Sequence, residues 1–281
     1  EGAKPPRVDY SVADDGVVVP ADFHSTMMLT LYHHLEVARG YFVGLGVEAS
    51  RIGEVPVYYY PRLELFIPIS LLTDNAAYAF TLDAFMIPPT LLVRQVPLAA
   101  NRGVIVHEYS HRVFNRLVHD GRRVPEYLLE PWSDPATNRM RSLDEGIADI
   151  FAALQTGDPN FIGSSLSEER FGIDRDLTKE RHYTAELEET IETSAMGQYN
   201  PYKLGSVIAS TLWALRGSLS DDQLGRAIRR ALESFASVEP PFTVAPFFNA
   251  LHEELPEGAQ SAACDLFEQR LDPIRQELTC R

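Results

Sequence analysis

The chain has 281 residues, 45% of them hydrophobic and 23% charged, enough material for one large domain or two small ones with a proper core. Forty Asp and Glu residues against 25 Lys and Arg leave a formal charge of −15, a field that repels phosphate backbones and anionic lipids and argues against nucleic acid or membrane surfaces as partners. No apolar run approaches the roughly 18 residues of a membrane span, and the opening EGAKPPRVDY reads as a trimmed start, not a targeting sequence.

From Phe23 to Gly46 apolar residues recur at helical spacing and a glycine closes the run, which predicts a helix. His24, His33 and His34 lie on it with only Glu36 as an acidic neighbour at ligand spacing, so they read as packing or surface histidines. Three β-rich runs follow: VPVYYY (Val55 to Tyr60), LELFIPIS (Leu63 to Ser70) and NAAYAFTLDAFMIPP (Asn75 to Pro89). Each predicts a strand of one small sheet. From about Asn101 the period is helical, over 101–120, 142–156, 201–217, 221–236, 244–255 and 260–271, with long polar connections at 121–141 and 157–200. A β-rich first third before a helical remainder predicts an α+β fold, one unit of two lobes: 1–120, with helix, sheet and the first motif below, and the helical 121–281. Cys264 and Cys280, sixteen positions apart, lack the spacing of a zinc knuckle. They form either a disulfide holding the tail of an exported protein or two free thiols.

Two of the eight histidines stand four apart in HEYSH, residues 107 to 111. Residues i and i+4 of a helix are neighbours on one face, so His107 and His111 can present two imidazoles to one ion. Glu108, one residue round the helix, is too offset to be a natural ligand but close enough to reach a water beside the metal. A second pair follows in LDEGIADIFAA, where Glu145 and Asp149 are again i and i+4 on a predicted helix kept slim by Gly146 and Ala148. Glu145 would complete a His2Glu set for Zn2+. Asp149 and Asp144 would each accept the outer N–H of a ligand histidine, fixing its tautomer.

HEYSH followed by DEGIADIF resembles the gluzincin metallopeptidases of the thermolysin-like clan, which carry HExxH on one helix and (N/D)ExxxD on the next. The resemblance implies a zincin-like fold, a small sheet lobe and a helical lobe flanking a zinc cleft, with His107, His111 and Glu145 as ligands, Glu108 as general base, and Asp149 and Asp144 behind the histidines. It implies that Asn75 and Ala76 belong to an edge strand that pairs with extended substrate, and that the chain is secreted, periplasmic or displayed on the cell surface.

Two departures stand out. Thirty-three residues lie between His111 and Glu145, which implies an insertion within 112–141. The histidine that the family places before a later helix, to stabilise an oxyanion, is missing from GQYNPYKLGSVIASTLWALR, where Tyr202 stands three before Gly205. Tyr202 is the expected replacement, with Tyr199 and His182 as weaker candidates. The metzincin extension would need Gly at 114 and His at 117, where Phe114 and Leu117 stand, and the aminopeptidase signature GxMEN is absent.

The expected function is therefore zinc-dependent hydrolysis of a peptide or protein substrate. The alternative is a zinc-containing, catalytically inactive peptide- or protein-binding protein of the same fold. Oligomeric state, subsite preference and calcium binding are left open.

Overall fold

The computed structural model describes residues 7–61, 64–66, 69–71, 73–91, 94–119, 135–166, 174–194, 199–235 and 242–280. The fold is α+β, with small sheets ahead of a helical body. The N-terminal segment forms a hairpin that the sequence analysis did not anticipate, β1 (Tyr10–Val12) against β2 (Val18–Pro20). Helix α1 (Phe23–Gly44) follows, with Asp22 accepting a bond from the Ser25 N–H at its start. That is the N-cap role expected of a short acidic side chain.

The remaining strands divide into two sheets where one was expected. Strands β4 (Glu64–Phe66) and β5 (Ile69–Leu71) pair as a hairpin where Leu63 to Ser70 reads as a single strand. Asn75 to Pro89 likewise folds back on itself, as β6 (Ala77–Ala79) and β7 (Ala84–Ile87), and β3 (Val57–Tyr59) pairs parallel with β7. The break at 80–83 has a local cause. Asp83 adopts φ 46°, a left-handed conformation that Asp tolerates, and its carboxylate receives the Tyr78 hydroxyl at 2.8 Å and Arg112 Nε at 3.0 Å. These bonds tie the hairpin tip to α2 (Arg102–Val118) and leave β6 at the edge of the order β3-β7-β6.

Helix α3 (Pro135–Thr156) begins seven residues before the expected position 142, within the segment read as a polar connection. Proline is compatible with the first helical position because its missing N–H has no intrahelical partner there. Residues 120–134, the rest of the expected insertion and the expected lobe boundary, lie outside the described residues. Helix α4 (Ala185–Thr193) lies within the expected 157–200 connection; it buries only Ile191 and so carries no apolar stripe for the sequence to display. Helices α5 (Tyr202–Ala214), α6 (Asp221–Phe235), α7 (Ala245–Glu254) and α8 (Glu257–Arg270) fall close to their expected positions. Cys264 on α8 is bonded to Cys280, so of the two states left open the disulfide is the one present. No helix among the described residues is long and apolar enough to cross a membrane.

Helix α3 packs between α2 and α5. The crossing with α5 is close because two glycines meet there: a Cβ on Gly146 would lie 2.7 Å from the Gly205 carbonyl oxygen, and one on Gly205 would lie 3.2 Å from Glu145 Cβ. The crossing sets Glu145 beside the first turn of α5, where Tyr202 stands. Gly146→Ala is expected to destabilise the protein by about 1–2 kcal/mol, since overpacking against backbone outweighs alanine's better helix propensity. Urea unfolding measures this, and a variant as stable as the parent would contradict the account of the crossing.

Candidate metal centre

His107 and His111 lie one helical turn apart on α2, and α3 brings Glu145 up to both. The His107 Nε2 to His111 Nε2 distance is 3.1 Å, and Glu145 Oε2 stands 3.4 Å from the first and 3.6 Å from the second. A triangle with those edges has its corners about 2 Å from a common centre, the length of a Zn–N or Zn–O bond. Glu145 Oε2 is buried and accepts no hydrogen bond among the described residues. A buried carboxylate oxygen left in that state costs free energy, and a cation at the centre would supply a partner. The three residues form a group able to hold a metal ion.

The outer nitrogens of both imidazoles face carboxylates on α3. His107 Nδ1 is 2.9 Å from Asp149 Oδ1 and His111 Nδ1 is 2.8 Å from Asp144 Oδ1. Each ring therefore donates outward and turns Nε2 inward, the tautomer a metal ligand needs. Burial opposes charge on His107, yet the neighbouring Asp149 and Glu145 carboxylates hold its pKa above the ordinary value. Burial likewise opposes charge on His111, and the charges of Asp144 and Glu145 overcome it, carrying the pKa up to about 10. The pocket is thus electrostatically prepared for positive charge at its centre, whether protons or a cation.

Arg175 is a member of this site that the sequence analysis missed. Its Nε donates to Asp149 Oδ2 at 3.1 Å and its Nη2 donates to Asp149 Oδ1, a bidentate pair in which both side chains are buried. Burial would raise the Asp149 carboxyl, but the Arg175 charge and the bond to His107 bring it down to about 2. Nothing in the sequence around Arg175 signals this partnership; the burial of Asp149, which calls for a cationic partner, is visible only in the fold.

Glu108 is buried in the cleft beside the triad, where its Oε2 accepts the Tyr78 N–H of β6 at 2.8 Å. The edge strand and the carboxylate are thus locked together. Asn75 and Ala76 line the same cleft but precede the strand, which begins at Ala77. Asn75 thus stands two residues, and Ala76 one, ahead of the strand in which the resemblance puts them. Tyr202 lines the cleft with its ring 4.3 Å from the Arg175 guanidinium. Burial, then the charge of Glu145, pushes its phenol well above the ordinary value, so the hydroxyl keeps its proton.

The weaker candidates stand elsewhere. Tyr199 is buried with its hydroxyl 3.1 Å from Ser142 Oγ, and His182 is exposed, bonded to Glu180 and the Gln269 carbonyl. The histidines of α1 are also remote, with His24 bonded to the Tyr59 hydroxyl and His34 to the Ala100 carbonyl.

No protein-family model matches the chain, and a search of curated proteins finds no match.

Proposed function

We propose that the chain is a zinc-dependent peptidase of the gluzincin type. The observation that carries this reading is the Glu108 carboxylate, set in the same cleft as the His107, His111 and Glu145 group and fastened to an edge strand. Besides holding the Tyr78 N–H, that carboxylate stands where a hydrolytic site needs a proton acceptor, a role that a purely structural metal site does not require. The donor set of two imidazoles and one carboxylate suits zinc, and when bound, zinc supplies a Lewis acid that polarises a carbonyl and acidifies water.

The chain's own residues supply the rest. An extended peptide lies along β6 by strand addition, with Asn75 and Ala76 at its entrance. Glu108 accepts a proton from the attacking water as the C–O bond forms, then passes it to the amide nitrogen as the C–N bond breaks. Tyr202 donates its hydroxyl hydrogen to the developing oxyanion, in place of the histidine usual to the family. Asp149 and Asp144 hold the two imidazoles in register, and Arg175 holds Asp149. The Cys264–Cys280 bridge supports export to an oxidising compartment as part of the same reading.

The test is elemental analysis together with casein hydrolysis in the presence of a chelator. The expected result is one zinc per chain, with turnover abolished by the chelator and restored by zinc. Stoichiometric zinc without turnover on any peptide favours the inactive binding protein. A chain that retains no metal at all overturns the reading.

A further inference from the structure

The cleft is unequal on the two sides of the triad. Two hollows share Asn75, Ala76, His107, Glu108 and Tyr202. The hollow that extends past His111 and Asp144 has a volume of about 260 Å³. The other is far smaller, about 20 Å³ by the same measure. Apolar side chains wall it in, namely Leu98, Val104, Phe161, Ile162 and Leu166, together with Arg175.

Phe161 is the largest of these apolar side chains, and it is held from several directions. Its carbonyl accepts a 2.9 Å bond from Asn101 Nδ2, the side chain that also caps α2. Its ring lies so close to α2 that a Cβ on Gly103 would fall 2.7 Å from Phe161 Cδ2. The His107 ring is 6.1 Å away between centroids, and Arg175 Cζ lies 6.0 Å from the Phe161 ring centre. Arg175 is itself fixed by its bidentate pair with Asp149. Phe161 is thus buried, 3% exposed, and packed on each of these sides, and protein interiors resist added volume of even a methylene.

We propose that the smaller hollow receives the side chain of one of the two residues flanking the scissile bond and admits only glycine or alanine, with Phe161 as the size-limiting wall. The inference rests on the peptidase reading and gives it a substrate class: peptide bonds next to a minimal side chain, with larger or polar groups confined to the other side. A packed apolar pocket discriminates one methylene by roughly 10–200-fold, so leucine, three carbons larger than alanine, is rejected at least as strongly.

Digestion of a randomised peptide library by the zinc-loaded chain, with cleavage sites read by mass spectrometry on both sides of the bond, tests this. Glycine or alanine is expected to be favoured over leucine and phenylalanine on one side by at least about tenfold in kcat/KM. Phe161→Ala and, separately, Leu166→Ala are expected to shift that same position towards leucine, and the parent profile alone decides if both variants fail to fold. Bulky residues favoured on both sides, or a profile unmoved in the folded variants, overturn the pocket and leave the peptidase reading standing. Cleavage of no peptide at all overturns both. A readout without turnover is the ratio of dissociation constants for alanine and leucine versions of one cleaved peptide on zinc-loaded Glu108→Gln, by calorimetry. At least about tenfold is expected, and no measurable difference between the two overturns the pocket.

Discussion

Glu108→Gln is expected to keep one zinc per chain and to lose hydrolysis of casein by about a thousandfold, the scale of general acid–base catalysis. Glutamine preserves the volume of the side chain and leaves its carbonyl oxygen able to accept the Tyr78 N–H that now holds Glu108 Oε2 at 2.8 Å. What it removes is the ability to accept and return a proton. The metal group stays intact, because Glu108 stands beside His107, His111 and Glu145 and is not one of the three. Zinc content by elemental analysis and kcat/KM on the same preparation separate the two effects. Loss of zinc along with activity would place Glu108 among the ligands. Undiminished turnover would remove it from the proton path.

Arg175→Met is expected to cost about 3–5 kcal/mol of stability in the metal-free protein, the range for breaking one side of a buried ion pair. Both side chains are almost wholly inaccessible, 2% exposed for Arg175 and 1% for Asp149. Methionine fills much of the volume but leaves the Asp149 carboxylate with His107 as its remaining partner. The pH dependence identifies the cause. In the parent the Asp149 carboxyl lies at about 2, below its ordinary value of 3.8. Its stabilising contribution is therefore complete above about pH 4 and fades as pH falls towards 2. Without Arg175 the carboxyl rises, so acid unfolding begins at a higher pH. Denaturant unfolding between pH 2 and 7, with chelator present to exclude stabilisation by bound metal, measures both. A variant within 1 kcal/mol of the parent and with the same acid midpoint would show that the pair contributes little.

The sequence by itself determined the parts of the site that repeat within one helical turn. His107 and His111 share a face of α2 because four residues nearly complete a turn, and Glu145 and Asp149 share a face of α3 for the same reason. Their side chains meet as that spacing requires, and Asp144 reaches His111 from the position just before Glu145. The α+β order was legible for a similar local reason, since β-branched and aromatic runs precede the helical periods. Boundaries were less so. Pro135 resembles a break and is a helix start, and the 80–83 turn hides inside an apolar run because Asp83, not glycine, takes the left-handed conformation.

Tertiary structure alone decided which distant segments close the site. Arg175 lies 26 residues beyond Asp149 in a stretch without helical pattern, and nothing in its neighbours marks it as the partner of a buried carboxylate. Phe161 reaches the cleft because Gly103, on the preceding turn of α2, carries no side chain to exclude it. The contact of Gly146 with Gly205 sets how near Glu145 comes to Tyr202. Each of these depends on the path of the chain between segments far apart in sequence. A periodicity of 3.6 is written into neighbouring residues, whereas the meeting of two helices is written into no single stretch.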